Sequence, residues 1–218
     1  LLDAGRMRLE DIPAWLTSVM DADERLLVVC NTKREAAALF ERLDLPGTLR
    51  FHLSAGMCMA HRKRVLAELR AALDAKKRLI CVSTQVIEAG IDVSFSKVIR
   101  LTAGLDNAVQ AAGRCNRHGE SPGPRPVYLL RAEDEKLGSL TEIQDAQNAL
   151  NALLAEYAQH PEKFDGDLAS NRAVEFYYKY LYGHQKNNAQ NYPLRGGGTL
   201  LELLSENAHR AAKNAHPE

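Results

Sequence analysis

The chain has 218 residues, enough for one full domain with a smaller piece attached. Its 28 lysines and arginines balance 28 aspartates and glutamates, so net charge gives no footprint of a strongly basic nucleic-acid binder, and any anion site must be local. Cys30, Cys58, Cys81 and Cys115 lie far apart without a C-x-x-C pair, which disfavours a zinc knuckle or disulfide scaffold and favours a reducing, cytoplasmic setting; the apolar runs fall short of the ~20 residues of a bilayer span, so no membrane partner is expected.

The opening "LLDAG" carries no initiator methionine and reads as a piece of a longer chain; residues 1–25 are expected to be a linker or helix. From residue 26 short β-rich runs alternate with helical ones, the pattern of a parallel sheet wound with helices. "LLVVCN" is a buried strand, and "TKREAAALFERL" a helix with Thr32 as N-cap. "PGTLRFHLS" supplies a turn and a second strand. "AHRKRVLAELRAALDAKK" is amphipathic, with Val65, Leu66, Leu69 and Leu73 on one side. "RLICVST", "KVIRL" and "RPVYLLR" are three more strands. Beyond residue 132 the composition turns helical, with "TEIQDAQNALNALLAEYAQ" and "AVEFYYKYLYG", then a polar flexible loop near 183–198 and a last helix. The expected division is 1–25, 26–132 and a helical extension over 133–218, in an α/β fold.

Three features could carry chemistry. "CVSTQVIEAGIDV" ends a strand in Ser83 and Thr84, whose hydroxyls and amides lie at the carboxyl edge where open α/β sheets bind ligands. Gly90 lets the backbone approach a ligand, and Asp92 is suited to accept hydrogen bonds from ribose hydroxyls. "GLDNAVQAAGRCNR" predicts a helix with Asp106 as N-cap and with Gln110, Gly113 and Arg117 on one face; Arg114 and Arg117 stand one turn apart. Guanidinium groups aimed at a transferring phosphoryl group are the arginine-finger device. Taken singly, each segment also reads as an ordinary turn or a solvated basic face.

"VSTQVIEAGIDV" with "LDNAVQAAGRCNRHGE" resembles motifs V and VI of superfamily 2 helicases, and "LLVVCNTKREA" resembles motif IV, the opening of their second RecA-like domain. More narrowly, "HLSAGMCMAHRKRVL", "STQVIEAGID" and "AGLDNAVQAAGRCNRHGE" resemble the CRISPR-associated helicase-nucleases of type I systems. The resemblance implies that Gln110, Arg114 and Arg117 approach the γ-phosphate, with Arg117 as the finger. It implies that Gly90 and Asp92 line the ATP, and that Thr84, Ser54, Thr32 and Asn31 lie near the phosphates of single-stranded DNA. Gln110 is followed by two alanines where these helicases more often have arginine, which leaves the number of cations at the phosphate open. Implied partners are Mg2+, the amino-terminal helicase and nuclease domains of the same protein, and an RNA-guided surveillance complex.

No G-x-x-x-x-G-K-[ST] loop occurs, so what remains is half of an ATP site, expected to be inactive alone. "AEDEKL" after the fifth strand reads as a solvated turn. His52 reads as structural; His61, Arg62, Lys63 and Arg64 form a basic helix start; Phe176, Tyr177 and Tyr180 are expected to pack. The residues leave open another superfamily 2 motor, such as a restriction or repair translocase, and a non-catalytic interaction module.

Overall fold

A computed structural model describes residues 1–184 apart from positions 23, 89 and 139. Most of the expected loop near 183–198 and the whole last helix lie outside the described residues. In chain order the elements are β1 (Leu2–Met7), α1 (Ile12–Val19), β2 (Arg25–Val29), α2 (Lys33–Arg42), β3 (Leu49–Leu53), α3 (Met59–Asp74), β4 (Leu79–Ser83), β5 (Lys97–Leu101), α4 (Leu105–Ala112), β6 (Val127–Ala132), α5 (Thr141–Gln159) and α6 (Asn171–His184). All strands run parallel in the order β1-β6-β5-β2-β4-β3.

Alternation along the strands builds the layers. Leu26 and Val28 of β2, with Ile80, Val82 and Ile99, face Ile12 and Leu16 of α1 and Ala36 and Leu39 of α2. Leu27, Val29, Cys81 and Val98 point the other way, onto Leu69 and Leu73 of α3. The central strands are buried on both faces, as parallel sheets require, and so read as continuous apolar runs. A third cluster, formed by Leu105 and Ala108 of α4, Leu129 of β6 and residues of α5 and α6, seats the helical extension. Phe176 and Tyr180 pack against it, and Tyr177 is buried within it.

Residues 1–25 hold a helix, α1, and in addition a strand that the expectation of a linker or helix did not include. Leu2–Met7 is a sixth strand, paired with β6, and α1 closes one face of the core. As an edge strand exposed along most of its length, it shows no apolar alternation.

Candidate functional site

The carboxyl ends of β2, β3 and β4 carry Asn31, Thr32, Ser54 and Thr84 along one edge. Thr32 caps α2 with a capping box: its hydroxyl accepts from Glu35 N at 3.2 Å, and Glu35 Oε2 accepts from Thr32 N at 3.1 Å. Ser54 follows β3 and Thr84 follows β4, exposed by only 5% and 4%. Ser83 Oγ is spent on the carbonyls of Leu53 and Thr84. Lys33, which the sequence reading did not single out, lays its side chain over Gly56; a Cβ there would stand 3.2 Å from Lys33 Cδ. Thr32, Lys33 and Ser54 therefore share a neighbourhood that a strand pattern alone could not reveal.

Asn31 belongs to the interior. Its amide donates to Thr102 O at 2.8 Å and to Glu135 at 2.6 Å, while its oxygen accepts from Arg100 at 2.6 Å. With both ends of the side chain occupied, it braces the edge. Glu135 also accepts from Gln147 at 2.6 Å, and Asp134 accepts from Leu9 N at 2.8 Å. "AEDEKL", expected to be a solvated turn, is thus a clasp that joins β1, β2 and α5. Beneath it, Arg100 Nε lies 2.8 Å from Glu88 in a fully buried ion pair. Burial raises the Glu88 carboxyl and lowers the Arg100 guanidinium from their ordinary values, and each charge partly restores the other.

The segment carrying the arginines corrects the helical expectation. α4 begins at Leu105 with Gly104 as N-cap, where a Cβ would collide with the Asp106 carboxylate and the Tyr177 hydroxyl; Asp106 lies inside the first turn. The helix ends at Ala112, because Phe95 N donates to Arg114 O at 2.9 Å and Asn116 N donates to Phe95 O at 2.8 Å. This isolated parallel bridge ties the chain to Phe95, just ahead of β5, and Asn116 takes a positive φ of 48°. Gln110 stays exposed on α4, but Arg114 and Arg117 leave the helix in different directions.

Arg114 turns inward. Its Nε donates to Ile87 O at 3.1 Å and its Nη2 to Glu88 O at 2.6 Å, clamping the loop after β4, while Nη1 is buried without a partner. Arg117 turns outward, and its Nε lies 2.8 Å from Asp92 Oδ1. His118 Nε2 reaches the same oxygen at 3.3 Å, and these two hydrogen bonds hold the Asp92 carboxyl below its ordinary range. Gly90, two residues before Asp92, has a φ of 72°, a conformation side chains disfavour. Among the described residues no group of three His, Cys, Asp or Glu side chains could hold a metal ion. His52 packs its ring against Phe40. No described helix is long and apolar enough to cross a membrane.

A six-stranded parallel sheet covered by helices on both faces is the RecA-like α/β fold, and the solved structure of T. fusca Cas3 with ATP shares it: TM-score 0.59, 16% identity, covering 72% of this chain and 22% of that one. Residues 22–120 match the family model for the CRISPR-associated nuclease/helicase Cas3, C-terminal. The Cas3 nuclease/helicase of Haloferax volcanii is 42% identical over 78 residues, 34% of this chain and 8% of that protein. That of Methanothermobacter thermautotrophicus is 24% identical over 140 residues, 63% of this chain and 17% of that protein. The matches thus span less than a quarter of each relative's length.

Proposed function

We propose that this chain is the second RecA-like half of an ATP-dependent single-stranded DNA translocase acting in type I CRISPR interference. The observation that carries the reading is the meeting of Asp92 with Arg117 at 2.8 Å, which joins the loop after β4 to the segment after α4. Beside it, the buried Arg114 keeps one unpartnered donor. A cation exposed at the edge, an orphan donor and a carboxylate suited to ribose hydroxyls fit a nucleotide. ATP bound there supplies the phosphoryl group that is transferred to water.

In this reading Asp92 is the parking place of the finger. When ribose hydroxyls occupy the Asp92 carboxylate, Arg117 is freed to face the charge that develops on the γ-phosphate, which pre-positions a cation for the transition state. Arg114 keeps the loop rigid and turns its free Nη1 toward the phosphates, and Gln110 stands on the adjoining helix face. The carboxylates for Mg2+, like the P-loop, come from a first RecA-like domain. Thr84, Ser54 and Thr32, joined by Lys33, touch the backbone of the DNA strand, and Asn31 holds their edge in place. Such contacts position without reading sequence, so targeting falls to an RNA-guided surveillance complex and degradation to a nuclease domain. The test is turnover in a motor completed by the first RecA-like domain: Arg117→Ala is expected to slow hydrolysis by ~10³-fold or more. Turnover equal to that of the unaltered motor would contradict the reading.

A further inference from the structure

At the far end of the sheet, away from the Asp92 edge, two arginines stand side by side. Arg6 of β1 and Arg131 of β6 are register partners on neighbouring parallel strands. Backbones so paired run only about 4.8 Å apart. Like charges directly across a sheet repel. Nevertheless, among the described residues neither arginine makes an ion pair or a side-chain hydrogen bond, although the clasp brings Glu133 and Glu135 close.

The pairing is made by a bulge. Leu2 and Asp3 pair with Tyr128 and Leu129, then the register shifts by one residue so that Arg6 meets Arg131. Gly5 takes a φ of 75° and donates its N–H to Asp3 Oδ1 at 2.9 Å, which fixes the extra residue. Without the bulge Arg6 would fall one position on, facing α1 with Met7 and Ala4. With it, Arg6 shares the α5 face with Arg131, just as Leu129 packs toward α5.

Both arginines line a cavity of about 560 Å³ between the carboxyl ends of β1 and β6 and α5. They also border a second cavity of about 240 Å³ beside it. Gln144 and Asn148 of α5 face the larger one, and their side chains make no hydrogen bond among the described residues, so four side chains present free N–H donors to the same space. The Glu135 carboxylate on the wall is already occupied by the amides of Asn31 and Gln147. Paired guanidinium groups with carboxamide donors match an oxyanion in charge and geometry.

We propose that Arg6 and Arg131 form an oxyanion site that takes a phosphate group, separate from the nucleotide cleft. The phosphate is either the phosphodiester of a nucleic-acid strand or a free phosphate compound, and both make the same contacts. Phenylglyoxal labelling with peptide-level mass spectrometry reads each arginine separately, with inorganic pyrophosphate or a short oligothymidylate as the probe. Protection of Arg6 and Arg131 together by pyrophosphate alone assigns a free phosphate compound; protection by the oligothymidylate assigns the strand. Binding of the protecting probe is expected to weaken about tenfold or more in Arg6→Gln and in Arg131→Gln. Arg131→Lys, which keeps the charge and loses the fork, is expected to lie between. Labelling of both arginines at full rate with each of the two probes in turn, neither protecting, would overturn the proposal, with no variant needed. Labelling of Arg117 follows the nucleotide cleft, so failure of one site leaves the other readable.

Discussion

Arg117 Nε lies 2.8 Å from Asp92 Oδ1, with the two side chains exposed by 42% and 69%. A pair so open to water contributes little to folding. Asp92→Ala and Arg117→Ala are therefore expected to leave the thermal unfolding midpoint of the chain within about a degree of the original. The same changes should abolish DNA-stimulated turnover in the completed motor. A large fall in the midpoint would make the pair structural.

Arg114 does the opposite work. It is almost entirely buried and holds the carbonyls of Ile87 and Glu88, so Arg114→Ala removes two charge-assisted hydrogen bonds from the loop that carries Asp92. The expected cost is about 1.5–3 kcal/mol, with faster amide hydrogen exchange confined to residues 87–92. Arg114→Lys should not restore protection, because an ammonium lacks the fork that spans two carbonyls. Unchanged exchange in Arg114→Ala would show that the clamp is not needed.

The Glu88–Arg100 pair lies wholly inside the core, between the site loop and Asn31. Arg100→Met leaves the buried Glu88 without its ion-pair partner and is expected to cost about 3–5 kcal/mol in urea unfolding. Adding Glu88→Leu removes the orphaned charge and should recover much of that loss. Additive losses in the double variant would contradict this coupling.

Glu35 gives the fold a pH dependence. Burial, then the neighbouring Glu135 carboxylate, push its carboxyl from 4.5 up to about 7, against the hydrogen bonds from Thr32. The folded state thus holds a proton that the unfolded chain releases near pH 4.5. The contribution of Glu35 to stability is greatest below that value and is lost as pH rises toward about 7. Glu88, raised by burial, adds to the slope with the same sign. Glu35→Gln keeps a capping side chain and should flatten the fall in thermal midpoint across this window. An equal slope in the variant would place its source elsewhere.

The central strands and long helices were legible because burial on both faces writes continuous apolar runs. "KVIRL" is β5, and "TEIQDAQNALNALLAEYAQ" is α5, residue for residue. β1 was hidden because an exposed edge strand interrupted by a glycine bulge has no period to read. The end of α4 was hidden for another reason: the local spacing of "AVQAAGRCNR" continues a helix, and only the distant Phe95 backbone competes for it. Asp92 and Arg117 were picked out 25 residues apart and do meet, while the inward turn of Arg114 and the Asn31–Glu135 clasp depend on contacts that sequence spacing does not encode.

The most direct test of the half-motor account is ATP hydrolysis with magnesium and single-stranded DNA, measured on this chain alone and then with a first RecA-like domain of the Cas3 type. The account predicts no turnover by the chain alone and DNA-stimulated turnover on mixing, lost with Arg117→Ala. Robust turnover by the unaided chain would mean a complete nucleotide site within it, and would contradict the shared cleft.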